Sequence, residues 1–241
     1  MIINVLLCDT FPGRLPDDIP SYMTMHERLF GEVVDDVQFK VYMAMEGELP
    51  DDFHADEMYL VPGCMNSAYE PLPWIEVLQA WIREAYTRKM FLVGICFGHQ
   101  VIARALGGTV EHYSGGWGAG VRESTVLDPL LLEAFPSGKM HLLYNHHDQV
   151  MTLPPVDAIT LATSDFCHHE AMRIGDHVFT FQGHPEYTPY YMKFYLDHLA
   201  ADQDPVIREH ALHSLEAMTP QGVDVARWLV AMFNRWQNKN K

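Results

Sequence analysis

The sequence predicts an α/β protein whose mostly parallel central sheet carries helices on both faces. Three observations point there. Short apolar runs alternate with segments of helical period, the pattern of strands joined by crossover helices. Polar clusters sit just past the apolar runs, at the strand ends. The 241 residues, 48% hydrophobic and 20% charged, suffice to bury one full core.

The elements follow in chain order. The apolar run at 2–7 reads as a first strand, because no basic flank precedes it and an acidic stretch follows, whereas a signal peptide carries a basic start. Residues 21–30 hold apolar side chains at helical spacing, and strands follow at 37–43 and 58–61. Pro71 and Pro73 suit the start of a helix over 74–88. The run at 90–95 is a strand, 97–106 a helix, and Gly107-Gly108 its stop. The middle of the chain is richer in strands, at 109–112, 121–127, 140–144, 158–162, 170–173 and 178–182. From Pro189 the tail is helical, with Thr219-Pro220 breaking it before an amphipathic helix over 223–233. One domain is expected over 1–241, with 189–241 its helical C-terminal extension.

Composition excludes several functions. Sixteen Lys and Arg against 32 Asp and Glu give a formal charge of −16, which repels phosphate backbones and anionic lipid surfaces. Neither nucleic acid nor a membrane is an expected partner, and no apolar stretch approaches the ~18 residues of a membrane span. Cys8, Cys64, Cys96 and Cys167 show no CxxC or zinc-finger spacing, so free thiols in a reducing cytoplasm are expected. No metal is expected either. In His146-His147-Asp148 and His168-His169-Glu170, neighbouring side chains of an extended chain point to opposite faces and chelate poorly. The glycine-rich 114–120 lacks the lysine of a phosphate-binding loop and suits a turn carrying Trp117 over a site entrance. No cofactor is expected.

The chemistry concentrates at Gly94-Ile95-Cys96-Phe97-Gly98. This is a G-x-nucleophile-x-G elbow, in which a strand turns sharply into a helix and presents the central side chain. Glycine flanks let the backbone turn without collision. The positive end of the helix favours the thiolate, the nucleophilic form, and the Phe97 amide is placed to bind an oxyanion. A buried packing cysteine is the plain alternative, so a partner base is required. His184 and Glu186, in Gln182-Gly183-His184-Pro185-Glu186, supply one. If the chain stays extended there, both side chains share a side, and the carboxylate fixes the imidazole tautomer while the other nitrogen faces the thiol.

The stretches GICFGHQVIARALGG, NHHDQV followed by LPP, and FQGHPEY, in this order and spacing, resemble the triad-type class I glutamine amidotransferases. The likeness spans most of the first ~190 residues and is nearest to stand-alone, GMP-synthase-like amidotransferase domains, which include γ-glutamyl peptidases. It implies a flavodoxin-like three-layer α/β/α sandwich. It also implies that Cys96 attacks the carboxamide of glutamine to form a γ-glutamyl thioester, with His184 as acid and base and Glu186 orienting it; ammonia leaves, then glutamate. Gln100 and the loop Asn145-His146-His147 would hold the α-amino and α-carboxylate groups, which need both donors and acceptors. Gly63 would join Phe97 in the oxyanion hole, although Pro62 stands where the family usually has glycine, removing a donor and stiffening the turn. Cys64 is expected to be a spectator thiol near Cys96.

Ammonia release implies a synthase or other acceptor subunit, since no ATP-binding motif is visible. A self-sufficient γ-glutamyl peptidase acting on glutathione-like conjugates needs no such partner. The reading from another class is a non-catalytic regulatory or binding module on the same fold, against which every triad position carries a competent residue.

Overall fold

In the computed structural model, strand after strand in the centre of the sheet is buried on both faces. It describes residues 1–10, 16, 18–200 and 203–240. Parts of the acidic stretch after the first strand and of the 189–241 segment lie outside the described residues. Strands β1 (Ile2–Leu7), β2 (Gln38–Met43), β3 (Met58–Val61) and β4 (Phe91–Ile95) alternate with helices α1 (Tyr22–Gly31), α2 (Pro73–Thr87) and α3 (Phe97–Ala105). The chain continues through β5 (Thr109–His112), β6 (Gly118–Val126), a short α4 (Pro129–Leu132), β7 (Lys139–His146) and β8 (Asp148–Thr152). It ends with β9 (Ala158–Thr163), β10 (Ala171–Ile174), β11 (Val178–Phe181), α5 (Pro189–His198), α6 (Pro205–Ala217) and α7 (Gly222–Asn240).

Nine strands form one sheet in the order β2-β1-β3-β4-β11-β10-β9-β6-β7. Neighbours from β2 to β11 run parallel, and the pairs from β11 onward are antiparallel. The strand-rich middle of the sequence thus becomes an antiparallel wing on a parallel half. A separate ribbon joins β5 to β8. The sequence marks Asn145-His146-His147 as a loop; β7 instead runs through His146, and β8 (Asp148–Thr152), absent from the sequence-based strands, pairs with β5. Similarly, β6 begins at Gly118, so the glycine-rich turn is shorter than the sequence indicates.

The strict alternation of side chains sorts the core into two layers. On one face Ile3, Val5, Leu60, Phe91, Val93, Phe179 and Phe181 pack under α1 and α7. On the other Leu6, Tyr59, Val61, Leu92 and Val178 pack under α2 and α3. Strands buried on both faces read as continuous apolar runs, which is why the central ones were legible. Helix α7 runs past the expected 233 and covers the middle of the sheet: Phe233 packs on Phe91 at 5.2 Å and Trp228 on Phe179 at 5.2 Å. Helices α5 and α6 cover the antiparallel wing through Tyr191, Leu196 and Ala211 against Val121 and Leu143. Caps fix where helices start. The Ser21 hydroxyl accepts from Thr24 N, and Pro73 opens α2 where a missing N–H costs nothing.

The closest backbone approach lies beneath the elbow. A Cβ on residue 98 would collide with the Val61 carbonyl, and one on residue 94 would come within 2.6 Å of the Gly98 oxygen. The parallel strands β3 and β4 and the helix α3 therefore meet only because both positions are glycine. We expect Gly98→Ala to destabilise the fold by about 3 kcal/mol or more, the upper range for overpacking, measured as a lowered urea midpoint.

Candidate active site

Strand β4 ends at Ile95, α3 begins at Phe97, and Cys96 between them adopts φ 53° and ψ −103°. An L-residue is strained there, and the strain turns the chain so that the side chain leaves the end of the sheet. Two backbone bonds hold the conformation: Cys96 N donates to Phe181 O at 2.8 Å, and Gln100 N donates to Cys96 O at 3.1 Å.

Strand register brings the partner. Ile95 pairs with Phe181 in the parallel β4–β11 ladder, so the residues after both strands emerge side by side. The chain then bends at Gln182-Gly183, and His184 N donates to Leu143 O at 2.7 Å, an isolated bridge that pins the imidazole. His184 Nδ1 donates to Glu186 Oε1 at 2.7 Å, with both residues buried. The chain does not stay extended past His184, the condition under which the sequence put the two side chains on one side: after the bridge at His184 it turns at Pro185-Glu186, and the side chains meet across Pro185. The imidazole also shares a hydrogen bond with Cys96.

The electrostatics of this trio are uneven. Burial alone would make the His184 imidazolium unfavourable, but the Glu186 carboxylate and Cys96 outweigh it and raise its pKa. Burial likewise opposes the Glu186 carboxylate, and His184 outweighs that, so its carboxyl stays below the usual range. Nearby His146 goes the other way. Burial pushes it down to about 3, its Nδ1 donates to Asp148 O at 3.0 Å, and it stays neutral.

Cys96 opens on a cavity of about 290 Å³ whose wall includes Gln100, Asn145, His146, His147 and Asp148. The expected substrate residues are therefore gathered beside the expected nucleophile, with refinements. Both amide hydrogens of Gln100 are used, on Asp148 O at 2.8 Å and Gln182 Oε1 at 3.1 Å, leaving its oxygen for a ligand. Asn145 and His146 belong to β7, and only His147 lies between the strands. The His147 ring stacks between Trp117 at 5.2 Å and His112 at 5.6 Å, so Trp117 does stand on the cavity wall. Gly63 lies against the pair: a Cβ there would be 3.0 Å from His184 Cε1 and 3.8 Å from Cys96 Cβ. The Pro62 carbonyl accepts from Gly98 N at 3.2 Å and ties this loop to the elbow. Cys64 also lines the cavity, but burial pushes its thiol up to about 12 and it donates to Cys8 O. All four cysteines are free.

A class I glutamine amidotransferase family model matches residues 36–200, a span that contains the elbow, the cavity and His184-Glu186. The chain belongs to this family. Among curated relatives it is 32% identical to γ-glutamyl peptidase 5 of Arabidopsis thaliana, over 69% of this chain and 68% of that one. It is 37% identical to a subunit of the glutamine-hydrolysing GMP synthase of Halobacterium salinarum, over 43% of this chain and 57% of the relative. The fold of a glutamine amidotransferase from Methylobacillus flagellatus superposes with a TM-score of 0.69 at 20% identity, over 98% of this chain and 92% of the other. As in that amidotransferase fold, the sheet is large and mixed, with helices on both faces.

Three residues around the site carry no sequence signal of their role. Tyr187 lies face to face on the His184 ring, the Tyr195 hydroxyl bonds Asn145, and Asp148 Oδ1 accepts from Tyr69 at 3.1 Å. Tyr187 is visible in FQGHPEY but nothing marks its direction; Tyr195 is one aromatic of a helical stripe.

The adjacent-histidine motif at 168–170 goes into the antiparallel wing instead. His169 Nδ1 pairs with the Thr160 hydroxyl, and Glu170 accepts from Ser164 at 2.6 Å. Burial pushes the Glu170 carboxyl up from 4.5 to about 7. The folded state then holds a proton that the unfolded chain has lost, so its contribution to stability falls as pH rises from about 4.5 through about 7. Glu170→Gln, which keeps the oxygen that Ser164 bonds, should gain about 2 kcal/mol on wild type between pH 5 and pH 8 in paired denaturation curves.

Proposed function

We propose that the protein hydrolyses a γ-glutamyl amide through a thioester on Cys96, with glutamine as the substrate. The observation that carries this reading is a cysteine in left-handed geometry at a strand-to-helix elbow, hydrogen-bonded to an imidazole whose far nitrogen is held by Glu186, beside a cavity.

In this mechanism Cys96 Sγ attacks the γ-carbonyl carbon while His184 takes the thiol proton. The carbonyl oxygen gains negative charge opposite the amides of Gly63 and Phe97. Collapse breaks the carbon–nitrogen bond, His184 gives its proton to the leaving nitrogen, and ammonia departs. Water then enters, His184 accepts its proton, and hydroxide displaces the sulfur to release glutamate and restore the thiol. Glu186 keeps the imidazole in the tautomer both halves need. The Gln100 oxygen accepts from the α-amino group, and Asn145, His146 and His147 surround the α-carboxylate.

A second reading is favoured by a named relative. Similarity to a γ-glutamyl peptidase supports a γ-glutamyl peptide substrate, whose amine leaves in place of ammonia. With ammonia as product, similarity to part of a GMP synthase supports a separate acceptor chain. We place the chain in the cytoplasm on its free cysteines, and no helix among the described residues is long and apolar enough to cross a membrane. The whole of 1–241 acts as one domain in this reading, since α7 covers the strand that bears the nucleophile.

Purified protein assayed on glutamine and on a γ-glutamyl dipeptide separates the two substrates by kcat/KM. Cys96→Ala should abolish turnover of both. His184→Ala should cost about 10²–10⁴-fold in kcat, the usual range for a lost general base. Unchanged rates in either variant refute the thioester route.

A further inference from the structure

The contact between Tyr187 and His184 has an unusual geometry for two neutral rings. Their centroids lie 3.9 Å apart and their planes are within 6° of parallel. Neutral aromatic pairs usually sit about 4.5–7 Å apart, offset or edge-on, because their negative faces repel, so this parallel pair is closer than neutral rings usually come. A cation over a ring face is attracted instead. The His184 imidazole is the ring beside Glu186 that carries positive charge whenever the thiolate forms.

The arrangement is braced on both sides. Gly63 lies at the edge of the imidazole, so close that a Cβ there would be 3.0 Å from Cε1 and any side chain would press on the ring. Tyr187 is itself fixed: its ring packs on Tyr191 at 4.5 Å, and the Tyr191 hydroxyl shares hydrogen bonds with Tyr187 and with Tyr22 of α1. The first helix of the chain thus reaches the imidazole through a line of tyrosines.

We propose that Tyr187 is a positioning residue whose ring face holds the plane of the His184 imidazole and stabilises its protonated form while Cys96 is a thiolate. This rests on the Cys96–His184 chemistry proposed above, and it adds a fourth participant to that chemistry. Other titratable groups face the same imidazole: Glu186 on its own segment, Cys96 on the elbow and His146 on β7, with His26 of α1 behind Glu186. None of these changes when residue 187 alone is varied, which lets the contribution of the ring be read separately.

The test uses a reaction that needs no substrate, alkylation of Cys96 by iodoacetamide followed by mass spectrometry across pH 5.5–9. His184→Ala should slow it at least tenfold near neutral pH. Tyr187→Phe keeps the ring face and should stay within about twofold of wild type. Pentafluorophenylalanine at 187 keeps the size but reverses the charge of the face; it should slow alkylation about fivefold and move the half-maximal pH upward. Tyr187→Leu should follow the fluorinated variant; should it fail to fold, the fluorinated ring decides alone. Equal rates and pH profiles for phenylalanine and its fluorinated analogue would show that Tyr187 only fills space and overturn the proposal. A Tyr187→Phe variant as slow as the fluorinated one would assign the effect to the hydroxyl and overturn it too. An unchanged rate in His184→Ala would instead remove the Cys96–His184 pair, and with it any role for a residue that positions it.

Discussion

The conformation of Cys96 is the constraint on which the rest of the site depends. At φ 53° an L-cysteine is strained, and only surrounding structure keeps it so. Gly98 lies against the Val61 carbonyl, Gly94 lies against Gly98, and Phe181 O holds the Cys96 amide. Each contact belongs to a different strand or helix. The elbow is therefore a property of the whole sheet centre, with α7 clamping the far face through Phe233 and Trp228.

Much of this was legible because it is local. The apolar run into Gly94, the glycine two places beyond Cys96, and a histidine two residues from a glutamate are patterns of spacing, and spacing survives folding. The parallel core strands were readable for the same reason, since burial on both faces leaves an unbroken apolar run. Strand β8 was not. Asp148 to Thr152 reads Asp-Gln-Val-Met-Thr without an alternating pattern, and its extended form comes with pairing to β5, a long-range contact that no period announces. Tyr187 was hidden by direction: FQGHPEY gives its identity, while the turn at Pro185 decides that its ring falls on His184.

Two neighbouring imidazoles show how environment sets their charge. His184 has a carboxylate within 2.7 Å, which outweighs burial and favours the charged ring. His146 has only a backbone carbonyl at 3.0 Å, so burial prevails and the ring stays neutral. An imidazole whose charged form is favoured, close to one that stays neutral, suits the proposed reaction, which would move protons at one point and bind a zwitterion at another.

The register of β4 against β11 has a consequence in time. The proposed nucleophile follows a strand from the middle of the chain, and its proposed base follows a strand much later in the sequence; they become neighbours only with β11 seated between β4 and β10. Until then Cys96 lacks both its imidazole and the Phe181 carbonyl that holds its backbone. Such non-local pairing is slow to form relative to helices and hairpins. In the thioester reading, a chain still emerging from the ribosome, or one partly unfolded, carries an unactivated thiol, and reactivity arrives together with the completed sheet.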